Sequence, residues 1–228
     1  MSYVITPPVQ PSIPVKGRDE RFPVHRIYCV ARNYPAHARE MGQDPDREPP
    51  FFFTKPADAI VPNNATIPFP SRTANLHHEI ELVAALCKGG RDIAVADALA
   101  CVYGYAVGND LTRRDLQFAA RDKGRPWDTG KAFDRSAPIT AITPATQSGH
   151  FQRGRIWLKV NGELRQQADI GDLIWSVADV IAELSTLFEL APGDLIFTGT
   201  PAGVSALKSG DRLEGGVDGL DTLVTTIA

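Results

Sequence analysis

Residues 79–87 show the clearest alternation of polar and apolar positions in the chain. The odd positions begin with Glu79 and Glu81, while every even position is apolar. Because successive side chains of a strand point to opposite faces, this pattern predicts a strand with both glutamates on one face. A second apolar run, at residues 103–109, predicts another strand that ends at Asp110.

Turn and cap signals predict most of the other elements. The dipeptide Asn161-Gly162 between two apolar runs predicts a hairpin with a type I′ turn. Ser176 precedes a helical apolar pattern and Asp179 is placed to complete a capping box, while Thr112 is a candidate cap for a helix over residues 112–123. Further strands are predicted at residues 25–30, 51–54 (a buried one), 195–198, 212–214 and 223–227, a short helix at 94–102, a loop or short helix at 33–41, and a proline- and charge-rich loop at 43–50.

These elements are mostly strands, with a few short helices and no regular strand–helix alternation. The pattern favours a strand-rich α+β fold over a doubly wound sheet. With 228 residues, of which 43% are hydrophobic, the chain is sufficient for one large core. We therefore expect a single domain at residues 21–228, preceded by a proline-rich extended arm at residues 1–20.

Composition narrows the classes of function. The net charge is −3, and Arg113-Arg114 is a short basic pair that we interpret as solvated surface or local ion pairs, so no nucleic-acid partner is expected. No apolar run approaches the length of a membrane helix, and residues 1–15 lack the features of a signal peptide. The three cysteines lie in apolar stretches at unrelated spacings, which indicates buried thiols in a reducing compartment, the cytoplasm.

Carboxylates provide the first candidate chemistry. Residues two apart on a strand point the same way, so Glu79 and Glu81 can reach one ion, and pairing of the two strands would bring Asp110 beside them. Three carboxylates suit a hard cation such as Mg²⁺, Mn²⁺ or Ca²⁺. His77 or His78 would be an additional nitrogen ligand. The alternative is a solvated strand face, and spacing alone does not separate the two.

Other polar residues are weaker signals. His37 and Glu40 have the i, i+3 spacing that brings side chains together on a helical turn, and a carboxylate beside imidazole suits a proton acceptor. Lys131 follows a glycine and precedes an apolar run, where a cation would bind a carboxylate or stabilise developing charge. The turn at Thr200 offers N–H and hydroxyl donors. Taken singly, each residue is also compatible with an ordinary loop or surface position.

Together these segments resemble the fumarylacetoacetate hydrolase family, in particular its short bacterial members. The matching stretches, in the family's order, are residues 28–41 (YCVARNYPAHAREM), 50–56 (PFFFTKP), 78–82 (HEIEL), 104–110 (GYAVGND) and 194–201 (DLIFTGTP). The resemblance covers roughly residues 25–228. It implies a mixed β-roll, usually homodimeric, in which Glu79, Glu81 and Asp110 bind Mg²⁺ or Mn²⁺.

The resemblance also assigns roles to other residues. His37 and Glu40 match the family's base dyad, on a segment that can close as a lid. Substrate contacts are implied for Lys131, which also has a catalytic role, and for Arg32, Lys55, Gln117 and Thr200. Ala31 departs from the family pattern, which has glycine before Arg-Asn-Tyr.

The activity that the resemblance implies is metal-dependent hydrolysis of the C–C bond of a 2,4-dioxo acid. Fumarylpyruvate, cleaved to fumarate and pyruvate in gentisate-type aromatic catabolism, is the leading candidate. The alternatives are an acylpyruvase, an oxaloacetate decarboxylase, or an isomerase or decarboxylase of a 2-oxo-heptenedioate. A metal- or ligand-binding module without catalysis is the non-enzymatic alternative. A second substrate carboxylate would call for an arginine, and Arg113, Arg121 and Arg135, with Trp127, are candidates for that end of the site.

Overall fold

The computed structural model of the chain describes residues 2–42 and 49–228. Most of the loop predicted at 43–50 therefore lies outside the described residues. The strands are β1 (Ser12–Pro14), β2 (Arg21–Pro23), β3 (Ile27–Ala31), β4 (Phe51–Lys55), β5 (Ile60–Pro62), β6 (Ala65–Ile67), β7 (Leu76–His77), β8 (Ile80–Leu86), β9 (Val102–Asn109), β10 (Thr112–Arg113), β11 (Ala137–Ile139), β12 (Thr143–Pro144), β13 (Arg155–Val160), β14 (Glu163–Asp169), β15 (Leu195–Phe197), β16 (Arg212–Val217) and β17 (Leu223–Ile227).

The helices are short, and the longest of those described has 11 residues. They are α1 (Pro35–Glu40), α2 (Val95–Ala98), α3 (Arg114–Arg121), α4 (Asp128–Lys131), α5 (Ala145–Ser148) and α6 (Val177–Leu187), with single 3₁₀ turns at Ala57–Ala59, Leu99–Cys101 and Ile170–Asp172. The strand-rich α+β prediction is confirmed. Among the described residues, no helix is long and apolar enough to cross a membrane.

A large mixed sheet forms the centre of the molecule, in the order β4-β3-β15-β8-β9-β11-β5, with β12 also paired to β9. β8 and β9 are antiparallel neighbours, as expected, and Glu81 lies opposite Gly108. Every residue of β8 is buried. The even positions join one apolar cluster, and Val83 and Ala85 join a second cluster on the other face. Both faces of β8 are therefore covered by apolar clusters, and its polar groups lie only at the start of the strand.

A second sheet, in the order β14-β13-β16-β17-β6, covers the face that includes Ile80 and Leu82. The hairpin prediction is confirmed: β13 and β14 pair antiparallel through Asn161-Gly162, and both turn residues have positive φ angles, 51° and 85°. Such angles define the type I′ turn. The capping box is also confirmed, because the Ser176 hydroxyl accepts from Asp179 N while the Asp179 carboxylate accepts from Ser176 N.

Three local predictions are wrong. Residues 112 and 113 form β10, so helix α3 begins at Arg114, and the Thr112 hydroxyl donates to Asp110 O instead of capping the helix. The helix predicted at 94–102 is α2 followed by a 3₁₀ turn, and Val102 already belongs to β9. β4, predicted as a buried strand, is an edge strand with Phe51 48% exposed, because no strand of the described residues pairs with its outer edge.

The N-terminal segment divides near residue 11. Residues 2–10 are exposed, whereas β1 pairs with β2, and Ile13 and Val15 are buried in the second apolar cluster. The described part of the arm predicted at 1–20 therefore includes residues that pack on the body. The cysteine prediction holds for Cys29 and Cys101, which are buried and free, but Cys87 is exposed because it lies just beyond the end of β8.

Candidate active site

Glu79, Glu81 and Asp110 meet where β8 begins and β9 ends. Backbone bonds hold them there: Asp110 N donates to Glu79 O at 2.8 Å, and Glu79 N donates to the Asn109 side-chain oxygen at 2.8 Å. One carboxylate oxygen from each of the three acids lies within 4.8 Å of the others, and all three residues are buried. This is the cluster that the alternation and the pairing of two strands predicted.

Three basic side chains surround this cluster. Lys131 donates to Glu79 Oε2 at 2.7 Å and to Asp110 Oδ2 at 2.6 Å. Arg114 donates to Glu79 Oε1 at 2.5 Å, and Lys55 Nζ lies 2.8 Å from Asp110 Oδ1. All three cations are buried. Glu79 and Asp110 therefore each have partners of opposite sign, as do the three cations, which makes burial of these ions tolerable.

The cations do not compensate the acids equally. Burial by itself would raise the pKa of Glu79, but the charges of Lys131 and Arg114 outweigh it and hold that pKa well below its usual range. Glu81 is different: burial, with the neighbouring charges of Asp110 and Glu79, raises its pKa well above the usual range. Burial lowers the pKa of Lys131 and the two acids raise it, with a net increase. Of the three acids, Glu81 is thus the one whose ionised form the surrounding cations compensate least.

A divalent cation fits this donor set. Asp110 Oδ1 is buried without a hydrogen bond of good geometry, even though Lys55 lies close to it. Glu81 has no basic partner of its own among the described residues, and its Oε2 accepts one backbone bond, from Gly199 N at 2.7 Å. Carboxylate oxygens that lack full compensation are hard ligands of the kind that Mg²⁺ and Mn²⁺ prefer. Glu79, Glu81 and Asp110 would hold the ion.

His37 and Glu40 meet as their spacing predicted. Helix α1 places His37 Nδ1 3.0 Å from Glu40 Oε2. The Glu40 carboxylate also accepts from Gly203 N at 3.1 Å, which joins α1 to the loop after β15. His37 is 5% exposed and lines the same cavity as Glu79 and Glu81. The ring therefore faces the carboxylate cluster with its orientation set by a second carboxylate.

The loop after β15 closes another side of the cavity. The Thr200 hydroxyl donates to Ile80 O at 2.8 Å and accepts from Gln166 at 2.8 Å. Asn33 fixes the opposite end of this loop by donating to Thr198 O at 2.8 Å. The Thr200 hydroxyl is thus engaged within the protein, although the residue lines the cavity.

The other predicted substrate contacts divide into two groups. Arg32, Gln117 and Lys131 line the cavity. Gln117 Oε1 accepts from Arg114 at 2.6 Å, so its amide N–H groups remain for a ligand. Lys55 does not line the cavity: its ammonium donates to Leu111 O and Lys131 O and lies 2.8 Å from Asp110 Oδ1. The cavity lining therefore gives no support to a substrate contact of Lys55, which stays a prediction.

The two histidines before Glu79 have structural partners. His78 is buried between Gln166 Oε1 at 2.8 Å and Ser205 Oγ at 2.9 Å, and burial lowers its pKa to about 4. His77 lies 2.9 Å from Asn75 Oδ1, and burial with the Arg114 charge lowers its pKa to about 4. Neither ring belongs to the carboxylate cluster.

Sequence reasoning missed the roles of Arg114 and Asn109. Of the two interpretations of Arg113-Arg114, solvated surface is wrong for Arg114, which is 2% exposed, whereas an ion pair is present, although its partner Glu79 is distant in sequence. Its i, i+3 spacing to Gln117 was the available signal, since one helix face then carries both. Of the candidates for the acyl end, Arg121 and Trp127 line the cavity, whereas Arg113 and Arg135 line a separate hollow beside Phe133.

Fold and cavity together place a carboxylate cluster suited to a divalent cation beside a histidine that a second carboxylate orients. The family model described as "Fumarylacetoacetate (FAA) hydrolase C-terminal" matches residues 26–228, so the chain belongs to the fumarylacetoacetate hydrolase family. This confirms the resemblance found in the motifs and the family's fold.

Individual relatives are also similar to this chain over most of its length. A fumarylpyruvate hydrolase from Ralstonia sp is 46% identical over 82% of this chain and 98% of its own length. The crystal structure of a fumarylpyruvate hydrolase from Pseudomonas aeruginosa, in complex with Mn²⁺ and pyruvate, is 55% identical with a TM-score of 0.98, over 100% of this chain and 99% of that one. A mitochondrial oxaloacetate tautomerase from Homo sapiens is 41% identical over 85% of this chain and 87% of its own.

Proposed function

We propose that this protein is a fumarylpyruvate hydrolase, which uses Mg²⁺ or Mn²⁺ to cleave fumarylpyruvate to fumarate and pyruvate, in gentisate-type aromatic catabolism. The observation that carries the proposal is that His37, Glu79, Glu81 and Lys131 line one cavity. A base that is oriented by Glu40 and a carboxylate cluster suited to a hard cation are the two parts that hydrolysis of a 2,4-dioxo acid requires. The two relatives named for fumarylpyruvate support the choice of substrate.

The charges around the cluster support an anionic substrate. With all three acids ionised, the three contacting cations balance them, and a divalent ion then leaves two positive charges. This excess positive charge attracts an anionic substrate, and it attracts a dicarboxylate such as fumarylpyruvate more strongly than a monoanion such as acetylpyruvate.

His37 acts as the base in this proposal. Its Nδ1 donates to Glu40, which leaves Nε2 to take a proton from water. The water oxygen bonds to C4 of the substrate and the C3–C4 bond breaks; its electron pair goes to C3, which then takes the proton. A bound Mg²⁺ or Mn²⁺ supplies Lewis acidity that stabilises the negative charge of the departing enolate. Gln117 and the third N–H of Lys131 are the donors that remain for substrate oxygens.

A substrate panel tests the reaction. Purified protein with added Mn²⁺ or Mg²⁺ is assayed on fumarylpyruvate, acetylpyruvate, oxaloacetate and a 2-oxo-heptenedioate, and fumarylpyruvate should have the highest kcat/KM. Oxaloacetate is included because of the tautomerase relative. A higher kcat/KM on oxaloacetate, or no turnover of the panel, would refute the proposal.

His37→Ala tests the base. Loss of a positioned base should lower kcat by about 10²- to 10⁴-fold while Mn²⁺ affinity is retained, because His37 is not among the ligands. His150→Ala is the matched control, since His150 is exposed and contacts Tyr105 outside the cavity. Turnover by His37→Ala at the wild-type rate would remove the histidine from the mechanism. Glu79→Gln should instead weaken Mn²⁺ binding.

We also propose a cytoplasmic homodimer. Support for the dimer comes from the family's usual assembly and from an exposed apolar segment that includes Tyr3, Val4 and Ile5, at 66%, 103% and 77% exposure. Free cysteines fit a reducing compartment. Sedimentation equilibrium tests the dimer, and a monomer at micromolar concentration would contradict it. Cell fractionation tests the cytoplasmic location.

A further inference from the structure

Helix α3 presents one continuous stripe of side chains to the cavity. Arg114, Gln117, Phe118 and Arg121 all line it, and their spacings of three, four and seven are those of a single helix face. Arg114 marks the end of the stripe at the carboxylate cluster, because it donates to Glu79. Arg121 lies two turns further along, about 10 Å away by helix rise. The stripe therefore has one cation at the metal-ligand end and a second at its far end.

Both guanidinium groups lie near the ring of Phe118. The Arg121 guanidinium carbon is 4.5 Å from the ring centre and that of Arg114 is 5.8 Å away, which limits their separation to about 10 Å. Contact with an aromatic ring restrains a guanidinium while leaving its N–H edge available for a carboxylate. Phe118 thus keeps Arg121 close to the cavity.

The ion pair that Arg121 forms with Asp122 would compete only weakly with a substrate carboxylate. Its Nε and one terminal nitrogen both bond to Asp122 Oδ1, at 3.0 Å each. The Asp122 side chain is 63% exposed and that of Arg121 is 35% exposed, and exposed pairs of this kind contribute little to stability. A guanidinium has five N–H donors, so at least three others lie outside this contact.

We propose that Arg121 binds the distal carboxylate of the substrate, and so selects acylpyruvates whose acyl group ends in a second carboxylate. This inference rests on the proposed function. An extended seven-carbon dioxo diacid has carboxylate carbons about 7 to 8 Å apart, from six bonds of about 1.5 Å. A hydrogen bond of about 2.9 Å at the far end extends that reach to about 10 Å, which is sufficient to span the stripe, whose guanidinium groups are at most about 10 Å apart.

Binding of two stable 2-oxo acids tests the assignment without requiring turnover. 2-Oxoheptanedioate and 2-oxoheptanoate have the same chain length, lack the C4 carbonyl, and differ in the distal carboxylate. Dissociation constants for the Mn²⁺-loaded protein are measured by calorimetry for wild type, Arg121→Gln and Arg125→Gln. Arg125 is the control because it is exposed, lies on the same segment and does not line this cavity.

Arg121→Gln should weaken 2-oxoheptanedioate binding by about ten- to a hundredfold, the value of a lost charged hydrogen bond. Binding of 2-oxoheptanoate should change less than twofold, which also verifies that the variant is folded. Arg125→Gln should leave both constants near wild type. If the ratio of the two dissociation constants is the same in Arg121→Gln as in wild type, including the case of an equal loss of affinity for both acids, the assignment is overturned. Failure of the proposed function appears separately, as absence of fumarylpyruvate turnover by wild type.

Discussion

Replacement of Lys131 by methionine separates what the cations and the metal each do for the carboxylate cluster. Methionine keeps most of the volume and the apolar stem but removes the ammonium that bonds to Glu79 at 2.7 Å and to Asp110 at 2.6 Å. The Lys131 side chain is only 3% exposed, so water does not replace the lost partner. The variant thus leaves two buried carboxylates less compensated than before.

The expected cost follows from the partners that remain. Removal of one member of a buried pair destabilises by about 3–5 kcal/mol. Arg114 still faces Glu79 and Lys55 still faces Asp110, so we expect the lower end, about 3 kcal/mol. For a chain of 228 residues this corresponds to a decrease in Tm of about 6–12 °C. Loss of the ammonium also removes a positive charge that repels a bound divalent ion.

Thermal unfolding is measured in EDTA and at matched free Mn²⁺ for wild type, Lys131→Met and Lys208→Met, an exposed lysine as control. In EDTA the Lys131 variant should unfold well below the other two. Ions that bind the native state stabilise it by RT ln(1 + [L]/Kd), about 2.7 kcal/mol at a hundredfold excess over Kd. The Mn²⁺-induced rise in Tm should therefore be larger in the Lys131 variant. A Tm in EDTA equal to wild type, or an equal response to Mn²⁺, would refute the reasoning.

Three further expectations concern the rest of the molecule. Burial alone would raise the pKa of Asp115, but hydrogen bonds from the Thr73 hydroxyl and from backbone N–H groups lower it overall. Asp115→Asn should therefore lower the free energy of unfolding by about 1 kcal/mol at pH 7, as measured with urea. The difference in stability between wild type and variant should shrink as the pH falls below about 4. A constant difference down to pH 3 would contradict this. Gly108→Ala should destabilise by about 1–3 kcal/mol, because an added Cβ meets the Phe197 ring at 2.5 Å; a wild-type urea midpoint would contradict that contact. In thiol titration with a disulfide reagent, Cys87 should react at once and the two buried cysteines only after unfolding, whereas three rapid equivalents would show that the buried pair is accessible.

Local signals in the sequence were sufficient for part of the fold. The turn at Asn161-Gly162 and the capping box at Ser176 need only neighbouring residues, and both lie where they were predicted. Strand β8, predicted one residue longer at each end, was found from its period of two, which does not depend on the partner strand. Thr112 shows the limit: a residue with the right chemistry for a cap is used otherwise when its segment pairs with a strand, here β7.

The cations around the site had no local signal strong enough to reveal them. Arg114 follows another arginine and precedes an aspartate, a pattern typical of a solvated helix start, and its partner Glu79 is 35 residues away. Lys55 was connected with the site only through the family resemblance, which gave it a substrate contact; its pairing with Asp110 comes from the path of β4 and the loop beyond it. The carboxylates were predictable because an acid in an apolar strand is unusual by itself, whereas a lysine or arginine is unusual only once its burial is known.

The balance between acids and bases explains why both sets are present. Burial of three carboxylates without cations would oppose folding of the metal-free chain by several kcal/mol for each ion, since every ionised group must be desolvated. Lys55, Arg114 and Lys131 remove most of that cost for Glu79 and Asp110, but Glu81 has no basic partner among the described residues and receives one backbone bond. Because the three cations compensate most of the negative charge, the chain can fold before the metal binds. A divalent ion then supplies the positive charge that Glu81 lacks. A fourth cation at Glu81 would stabilise the metal-free fold further and compete with the metal for its ligand.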